Sequence, residues 1–326
     1  MKSKEFIVLA VVIVLLGTYL FLRNGDRSRY EIPSVSAIKG EEISRIEIAS
    51  SGNRIEITRA GDQWRIGDRQ YPADGTKIKN ILEALEGLKL TALVSEAEAY
   101  ARYDLSDEKK ISVRAWAGDG LVRNIDIGKT AETYQHTFVR LGDDPNVYHA
   151  RNNFRRTFDQ TTDGLRDKTA LSFNTDDIKG VQISSGGSSL ALTLGKAPVE
   201  KSPREDATPD ETAEQPAAEE PPPVWLAEDG TPAPADAVQR LLSQLAHLAC
   251  TGYLEDDQAK ALEQPVRTIT LAGDQTYTLS IFEKQENETA YPATSSQNSY
   301  PFLLSDSAWT RLTESLDALF GTDKES

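Results

Sequence analysis

The sequence has few of the residues that form disulfides or contact phosphate. It has one cysteine, Cys250, in 326 residues, so no intrachain disulfide can form. Its 36 Lys and Arg residues are outnumbered by 51 Asp and Glu residues, and the formal net charge is −15. This charge argues against binding the phosphate backbone of a nucleic acid, which needs clustered cations. We therefore predict no nucleic-acid partner and an acidic surface that keeps the chain soluble.

Catalytic and metal-binding motifs are also missing. The sequence contains no G-x-S-x-G, H-E-x-x-H or Walker pattern. His247 lies beside the apolar stripe of a predicted helix, where a solvated role is expected. His136 and His149 flank two predicted strands and approach each other if those strands pair, but no further ligands stand at a zinc-site spacing. We predict no catalytic residue, no cofactor and no metal, and a buried apolar role for Cys250.

The N-terminus contains a long apolar run. Residues 6–22 are 17 residues without a charge, and as a helix they span about 25 Å, at the short end for crossing a bilayer. No small-residue cleavage site follows, which favours an uncleaved anchor. We predict a cytoplasmic tail over 1–5, a transmembrane helix over 6–22 that contacts the membrane, and a stalk over 23–41. The chain is then a single-pass protein of the inner (cytoplasmic) membrane, with its bulk periplasmic.

The body of the chain repeats one pattern. "WRIGDRQYPADGTKIKNILEALEGL" begins at Trp64, and "WLAEDGTPAPADAVQRLLSQLAHL" begins at Trp225. Each joins a tryptophan strand through a Pro-Ala turn to an amphipathic helix, with Thr76 and Asp236 as predicted N-caps. Alternating apolar residues before each pattern predict strand hairpins that turn at "SSGN" and "SSGGSS". The helical stripes consist of Ile78, Ile81, Leu82, Leu85 and Leu88 in the first copy, and of Val238, Leu241, Leu242, Leu245 and Leu248 in the second.

The repetition continues beyond the helices. Two alternating strands at 109–129 parallel 266–284, and a strand running into a helix at 147–160 parallels 301–320. Internal repetition of this kind indicates two copies of one structural unit. We predict an α+β fold, in which a single N-terminal transmembrane helix is followed by two tandem copies of a mixed sheet-plus-helix module.

Large apolar residues at matching places of the two copies predict the core. Phe154 and Trp309 are expected at equivalent positions in the terminal helices. Buried tryptophans also bear on function, because exposed rows of aromatic rings would favour glycan binding. The predicted structural core includes Trp64, Trp225, Trp309, Leu85 and Leu245.

An acidic, proline-rich insert interrupts the second copy. Residues 196–223, "KAPVEKSPREDATPDETAEQPAAEEPPP", contain seven prolines and eight acidic residues, a composition typical of disorder. The repeat places this insert inside a hairpin, where the first copy has only "AGDQ". The predicted domain boundary therefore lies in "LRDKTALSFN", with repeat 1 over 42–170 and repeat 2 over 171–326.

The order of motifs resembles a known family. "QWRI", a helix, "ALVSEAEAYARYDLSD", "IDIGK" and "GLRDKTALSFNTDDIKGVQI" together are similar to the bacterial family called domain of unknown function 4340. Asp104 stands where a glycine is usual in the family's "YGLD"-like segment. The resemblance implies an auxiliary protein of an ABC-type transporter in the cell envelope, and it implies no catalytic residue.

The junction between the copies offers one sharper hypothesis. Arg166, Asp167 and Lys168 stand where the copies meet, and an Arg-Asp pair there is expected to fix the angle between them. We predict a membrane-anchored, non-enzymatic binding or scaffold subunit of an envelope complex, with a protein partner. The alternatives are a recognition module for cell-wall polymer or glycan, and an envelope hydrolase that uses His136 or His149 with carboxylates.

Overall fold

The chain folds as two compact units. The computed structural model describes residues 11–19, 32–196, 223–284 and 288–320. Contacts divide the chain into Met1–Asp167, here called unit 1, and Lys168–Ser326, called unit 2. Each unit has a hydrophobic core and a large antiparallel sheet of its own.

Unit 1 contains a nine-stranded antiparallel sheet. Its strands are β1 (Arg45–Ser50), β2 (Asn53–Ala60), β3 (Gln63–Ile66), β4 (Tyr71–Pro72), β5 (Leu90–Ser95), β6 (Ile111–Ala117), β7 (Gly120–Thr130), β8 (His136–Leu141) and β9 (Val147–Arg151). They are arranged in the order β4-β3-β2-β1-β6-β7-β8-β9-β5. Strand β5 thus forms one edge of the sheet, although it precedes β6 in the chain.

Unit 2 contains an eight-stranded antiparallel sheet and a small two-stranded one. Its strands are β10 (Thr169–Ser172), β11 (Gly180–Ser185), β12 (Ser188–Lys196), β13 (Pro223–Ala227), β14 (His247–Ala249), β15 (Gly252–Tyr253), β16 (Arg267–Ala272), β17 (Thr276–Ile281), β18 (Ala290–Ser295) and β19 (Asn298–Ser305). The large sheet has the order β13-β12-β11-β16-β17-β18-β19-β15, and β10 pairs with β14.

The two large sheets share one connectivity. Strands β11 to β13 take the places of β1 to β3, strands β16 to β19 those of β6 to β9, and β15 that of β5. The short β4 has a counterpart in an isolated bridge between Leu226 and Pro232. Equivalent positions can therefore be compared strand by strand, and each unit serves as an internal reference for the other.

The helices are few, and most are short. Besides the helical residues 11–19, they are α1 (Gly75–Glu86), α2 (Phe154–Phe158), α3 (Thr162–Leu165), α4 (Ala235–Leu245), α5 (Asp256–Lys260) and α6 (Asp306–Phe320). Short 3-10 turns lie at Gly40–Glu42, Tyr100–Tyr103 and Thr175–Asp177. The α+β prediction is therefore wrong, since the described chain is mostly β-sheet. The reason is that period-2 alternation extends along most of the chain, whereas a helical stripe is confined to a few segments.

The predicted N-terminal anchor is also wrong. In the part of the chain that the structure describes, no helix is both long and apolar enough to cross a bilayer. Residues 1–10 and 20–31 lie outside the described residues. The transmembrane helix over 6–22 and the single-pass inner-membrane location are corrected on this finding.

The longer helices bury their stripes against the sheets. Ile78, Ile81 and Leu85 of α1 are buried in the core of unit 1, which also contains Trp64. In unit 2, Leu245 of α4 and Trp225 are buried in the same way. Trp309 is only partly buried, stacking on Tyr291 with ring centroids 4.7 Å apart.

Both helix starts differ from the sequence prediction. Helix α1 is capped by Asp74, whose carboxylate accepts from the backbone N–H groups of Thr76 at 2.9 Å and Lys77 at 3.1 Å. Pro234 precedes α4 and provides no side-chain cap, so Asp236 lies inside the first turn. The predicted caps Thr76 and Asp236 are therefore both wrong by two positions, because the chain leaves the extended conformation earlier than the stripe indicates.

A buried arginine ties the start of unit 1 to the end of α1. Arg123 donates to the carbonyl of Leu85 at 3.1 Å and to that of Ser36 at 2.7 Å. These carbonyls supply acceptors for a buried cation and terminate the helix favourably. Val35 and Ile38 pack against the same core, so this part of the predicted stalk belongs to unit 1.

The acidic insert connects two paired strands. Lys196 and Pro223 are opposite each other at the end of the β12–β13 pair. In unit 1 the equivalent β2–β3 pair ends at Ala60 and Gln63. The disorder prediction covers residues 196–223, of which 197–222 lie outside the described residues, whereas Lys196 and Pro223 are in strands.

Candidate functional site

The outer face of the unit 1 sheet has a groove at one edge. Its floor is formed by β8, β9 and β5, where Phe138 pairs with His149 and His149 pairs with Ala92. Along β9 the neighbours of His149, Tyr148 and Ala150, are buried in the core. Because side chains alternate across a strand, His149 lies on the opposite face from that core.

An aromatic row runs along this groove. The ring centroids of Tyr103 and Phe138 are 4.9 Å apart, those of Phe138 and His149 are 4.7 Å apart, and those of His149 and His136 are 5.5 Å apart. The two imidazoles stack with an angle of 29° between their planes. The predicted approach of His136 and His149 is thus seen, since β8 and β9 pair.

His149 has an unusual polar environment. Its Nε2 atom is buried and has no hydrogen-bond partner among the described residues. Burial, and to a smaller extent the neighbouring His136, lower the pKa of His149 below its ordinary 6.5. A neutral imidazole with an unsatisfied nitrogen costs stability, which makes this position a candidate functional site.

The groove has a volume of about 770 Å³ and a mixed lining. Arg102 and Lys129 contribute cations, and Glu132 contributes a carboxylate. Within the described ranges, neither Arg102 nor Lys129 forms an ion pair, in contrast to many cations of this chain. On the loop after β7, Tyr134 is 78% exposed. The groove is therefore a locally cationic, aromatic surface in an acidic protein.

One side of the groove is lined by the 3-10 turn Tyr100–Tyr103, here called the covering turn, whose backbone lies close to the sheet. The 3-10 turn Tyr100–Tyr103 ends at Asp104, which has φ +55, in the left-handed region that favours glycine. Leu105 then enters the interior, 2% exposed. A Cβ on Gly128 of β7 would overlap the carbonyl oxygen of Tyr103 and meet Leu105 Cγ at 3.0 Å. The turn lies this close to the sheet only because Gly128 has no side chain.

A cluster of polar and charged side chains, here called the charged ladder, contacts the same turn. It consists of Ser112, Asp126, Arg140 and Lys110. On adjacent strands β6, β7 and β8, Asp126 accepts from Ser112 Oγ at 2.6 Å and from Arg140 Nη2 at 2.5 Å. Lys110 Nζ lies 3.3 Å from the same carboxylate. Burial raises the pKa of Asp126, but these hydrogen bonds and charges bring it below its ordinary 3.8. The Arg140 guanidinium lies 5.1 Å from the ring centroid of Tyr100, so the ladder also contacts the turn.

Unit 2 has the scaffold without these side chains. Its registers place Pro292 opposite Leu303 and Leu303 opposite Gly252, where unit 1 has Phe138, His149 and Ala92. In the same alignment, Ala290 of unit 2 is at the position equivalent to His136 of unit 1. The charged ladder is likewise replaced, with Thr268, Ser280 and Thr294 at the places of Ser112, Asp126 and Arg140.

The predicted junction residues each contact their own unit. The Arg166 guanidinium lies 3.8 Å from the ring centroid of Tyr71, and the Asp167 N–H donates to the carbonyl of Pro72 at 2.9 Å. In unit 2, Lys168 Nζ lies 4.8 Å from the ring centroid of Tyr253. The Arg-Asp lock between the units stays a prediction.

Other candidates from the sequence are not brought together. His247 is exposed in unit 2, and Cys250 is buried there. Among the described residues, no group of three or more His, Cys, Asp or Glu side chains is placed to hold a metal ion. Sequence reasoning missed Arg102, Lys129 and Phe138 of the groove, although the "YARYD" segment, which the family resemblance singled out, was the available signal.

The family comparison agrees with the resemblance. The family model described as "Domain of unknown function (DUF4340)" matches residues 64–265, so the chain belongs to that family. The match contains the whole groove and its covering turn. No curated protein and no solved structure matches the chain.

Proposed function

We propose that the protein is a non-enzymatic binding subunit that holds a partner in the groove of unit 1. The observation that carries this proposal is the difference between the two units. The same strand order and registers exist in unit 2 without His136, Phe138 and His149. The fold therefore does not require these side chains. Where unit 2 has Leu303, unit 1 has His149, whose Nε2 is buried and has no partner in the described part of the chain.

The groove is suited to binding rather than to proton transfer. A general base needs a hydrogen bond to the group that it activates, and a third group usually orients it. In the described residues, His136 and His149 stack on each other and His149 contacts Phe138, with no hydrogen bond to a hydroxyl or a carboxylate. This packing supports a recognition surface over the hydrolase alternative.

The proposal includes the partner class that the family resemblance implies, a component of an ABC-type transporter. Auxiliary subunits act through persistent contacts. A preformed groove whose cations form no ion pair with the described residues offers such a contact. Two features favour the glycan alternative, namely the aromatic row of the groove and the exposed Tyr134, which follows the lining residue Thr133 in the chain.

The test exchanges unit 1 side chains for those of unit 2. Tagged full-length protein is captured from cells in mild detergent, and transporter components are quantified by mass spectrometry. The double variant His136→Ala/His149→Leu introduces the residue types of the equivalent positions Ala290 and Leu303, so we expect it to fold. We expect it to lose the transporter component, whereas the control His247→Ala, an exposed histidine in unit 2, retains it. Equal recovery with the double variant would contradict the proposal.

A further inference from the structure

We infer that the groove takes an acidic polypeptide segment, which lies extended along the free edge of β5. This inference depends on the proposed function and adds the chemistry and the geometry of the partner. It follows from three properties of the groove, namely its position at a sheet edge, its charge and its aromatic row.

Strand β5 offers an unoccupied edge next to the groove. It is the last strand in the sheet order and pairs only with β9 among the described strands. An edge strand presents backbone N–H and C=O groups that an extended peptide can pair with. Val94 of β5 lines the groove, so a strand added there would run along its rim.

The side chains that follow one another across the outer face of the sheet end in a small one at the β5 edge. Phe138, His149 and Ala92 follow one another across β8, β9 and β5. A further strand would lie about 4.8 Å beyond β5, with alternate side chains on the groove side. Because Ala92 is small, a side chain at that position would lie over it and next to the His149 ring.

The charge of the lining selects an acidic partner. Arg102 and Lys129 carry no ion pair within the described residues, and Glu132 is the lining's one carboxylate. The chain as a whole has a net charge of −15. The cationic lining of the groove differs from the rest of this acidic protein and attracts a segment of opposite charge. Carboxylates on such a segment would pair with these two cations and approach the imidazoles.

The experiment uses short peptides on the full-length protein. A fluorescein-labelled peptide that alternates Glu and Val is compared with one that alternates Lys and Val, and with oligogalacturonate as an acidic sugar chain. Binding is followed by fluorescence anisotropy, and amide hydrogen exchange reports on β5. The variant Arg102→Glu/Lys129→Glu reverses two groove charges, and Lys79→Glu/Lys260→Glu reverses two exposed lysines elsewhere as a matched control.

We expect the Glu-Val peptide to bind and to protect β5 amides, with affinity reduced at least about 10-fold by the groove reversal but not by the control reversal. Unchanged affinity in the groove reversal, or binding without protection of β5, overturns the inference. Binding of oligogalacturonate alone also overturns it but leaves the groove as a recognition site. If no probe binds and His136→Ala/His149→Leu still captures the transporter component, both proposals fail.

Discussion

His149 of β9 and Leu303 of β19 occupy equivalent positions in two sheets of the same strand order. Each pairs with a residue of the edge strand of its sheet, since His149 pairs with Ala92 of β5 and Leu303 pairs with Gly252 of β15. Leucine needs only apolar contacts at this position, whereas histidine places a buried nitrogen there that has no partner within the described residues. Residues that break a local rule of folding are expected at functional sites, since their cost is offset by what they do.

The first prediction follows from this pair. His149→Leu should raise the free energy of unfolding by about 1 kcal/mol, because it removes an unsatisfied buried nitrogen and keeps the side-chain volume. The reverse exchange, Leu303→His, should lower it by about 1–2 kcal/mol. Urea denaturation followed by circular dichroism measures both. A destabilised His149→Leu variant would show that His149 has a structural role.

The second prediction concerns pH. Burial, and then the charge of His136, lower the pKa of His149 below 6.5 in the folded protein. As the pH falls, the His149 imidazole of the unfolded chain therefore takes up its proton before that of the folded chain. The free energy of unfolding then decreases as the pH falls below 6.5, and this decrease ends once the pH is below the folded pKa. The other charged groups that line the groove are Arg102, Lys129 and Glu132.

Measurements of unfolding between about pH 7 and pH 5 test this effect. We expect the wild-type free energy of unfolding to fall more steeply than that of His149→Leu. The control His247→Ala should follow the wild-type curve, because that histidine is exposed. Parallel curves for wild type and His149→Leu would refute the prediction.

Local patterns in the sequence predict the strands well. The hairpin turns after Ser50 and Ser185 lie at "SSGN" and "SSGGSS", because glycine there adopts the positive φ that tight turns need. Helix caps are less well determined, since Asp74 and Thr76 are both able to cap and only the backbone path decides. The equivalence of Phe154 with Trp309 stays a prediction, because the strand registers end at Arg151 and Ser305, before either residue.

The groove could not be predicted from such patterns. It depends on the pairing of β5 with β9, which are far apart in the chain, and on a 3-10 turn that packs across β8. No periodicity encodes the distance from Tyr103 to Phe138. Besides the "YARYD" segment, one further signal is Gly128 in "IDIGK", since a glycine inside a strand indicates a close backbone approach.

The third prediction concerns the charged ladder under the covering turn. Asp126→Ser should lower the free energy of unfolding by about 2 kcal/mol, because Arg140 and Lys110 lose their shared carboxylate. The double variant Asp126→Ser/Arg140→Thr reproduces Ser280 and Thr294 of unit 2 and should recover about 1 kcal/mol of that loss. A double-mutant cycle in urea measures this coupling, and strictly additive costs would refute it.

The fourth prediction tests the contact that holds the covering turn. Gly128→Ala should lower the free energy of unfolding by about 2–3 kcal/mol, because the new methyl group overlaps the Tyr103 carbonyl on one side and the Leu105 side chain on another. The matched control is Gly75→Ala, where a Cβ meets nothing within 4 Å at the start of α1. That variant should be unchanged or more stable by about 0.5 kcal/mol, since alanine restricts the unfolded chain. Displacement of the turn should also speed tryptic cleavage after Arg102 in Gly128→Ala. A Gly128→Ala variant with wild-type stability and cleavage rate would mean that the turn is not held by this contact.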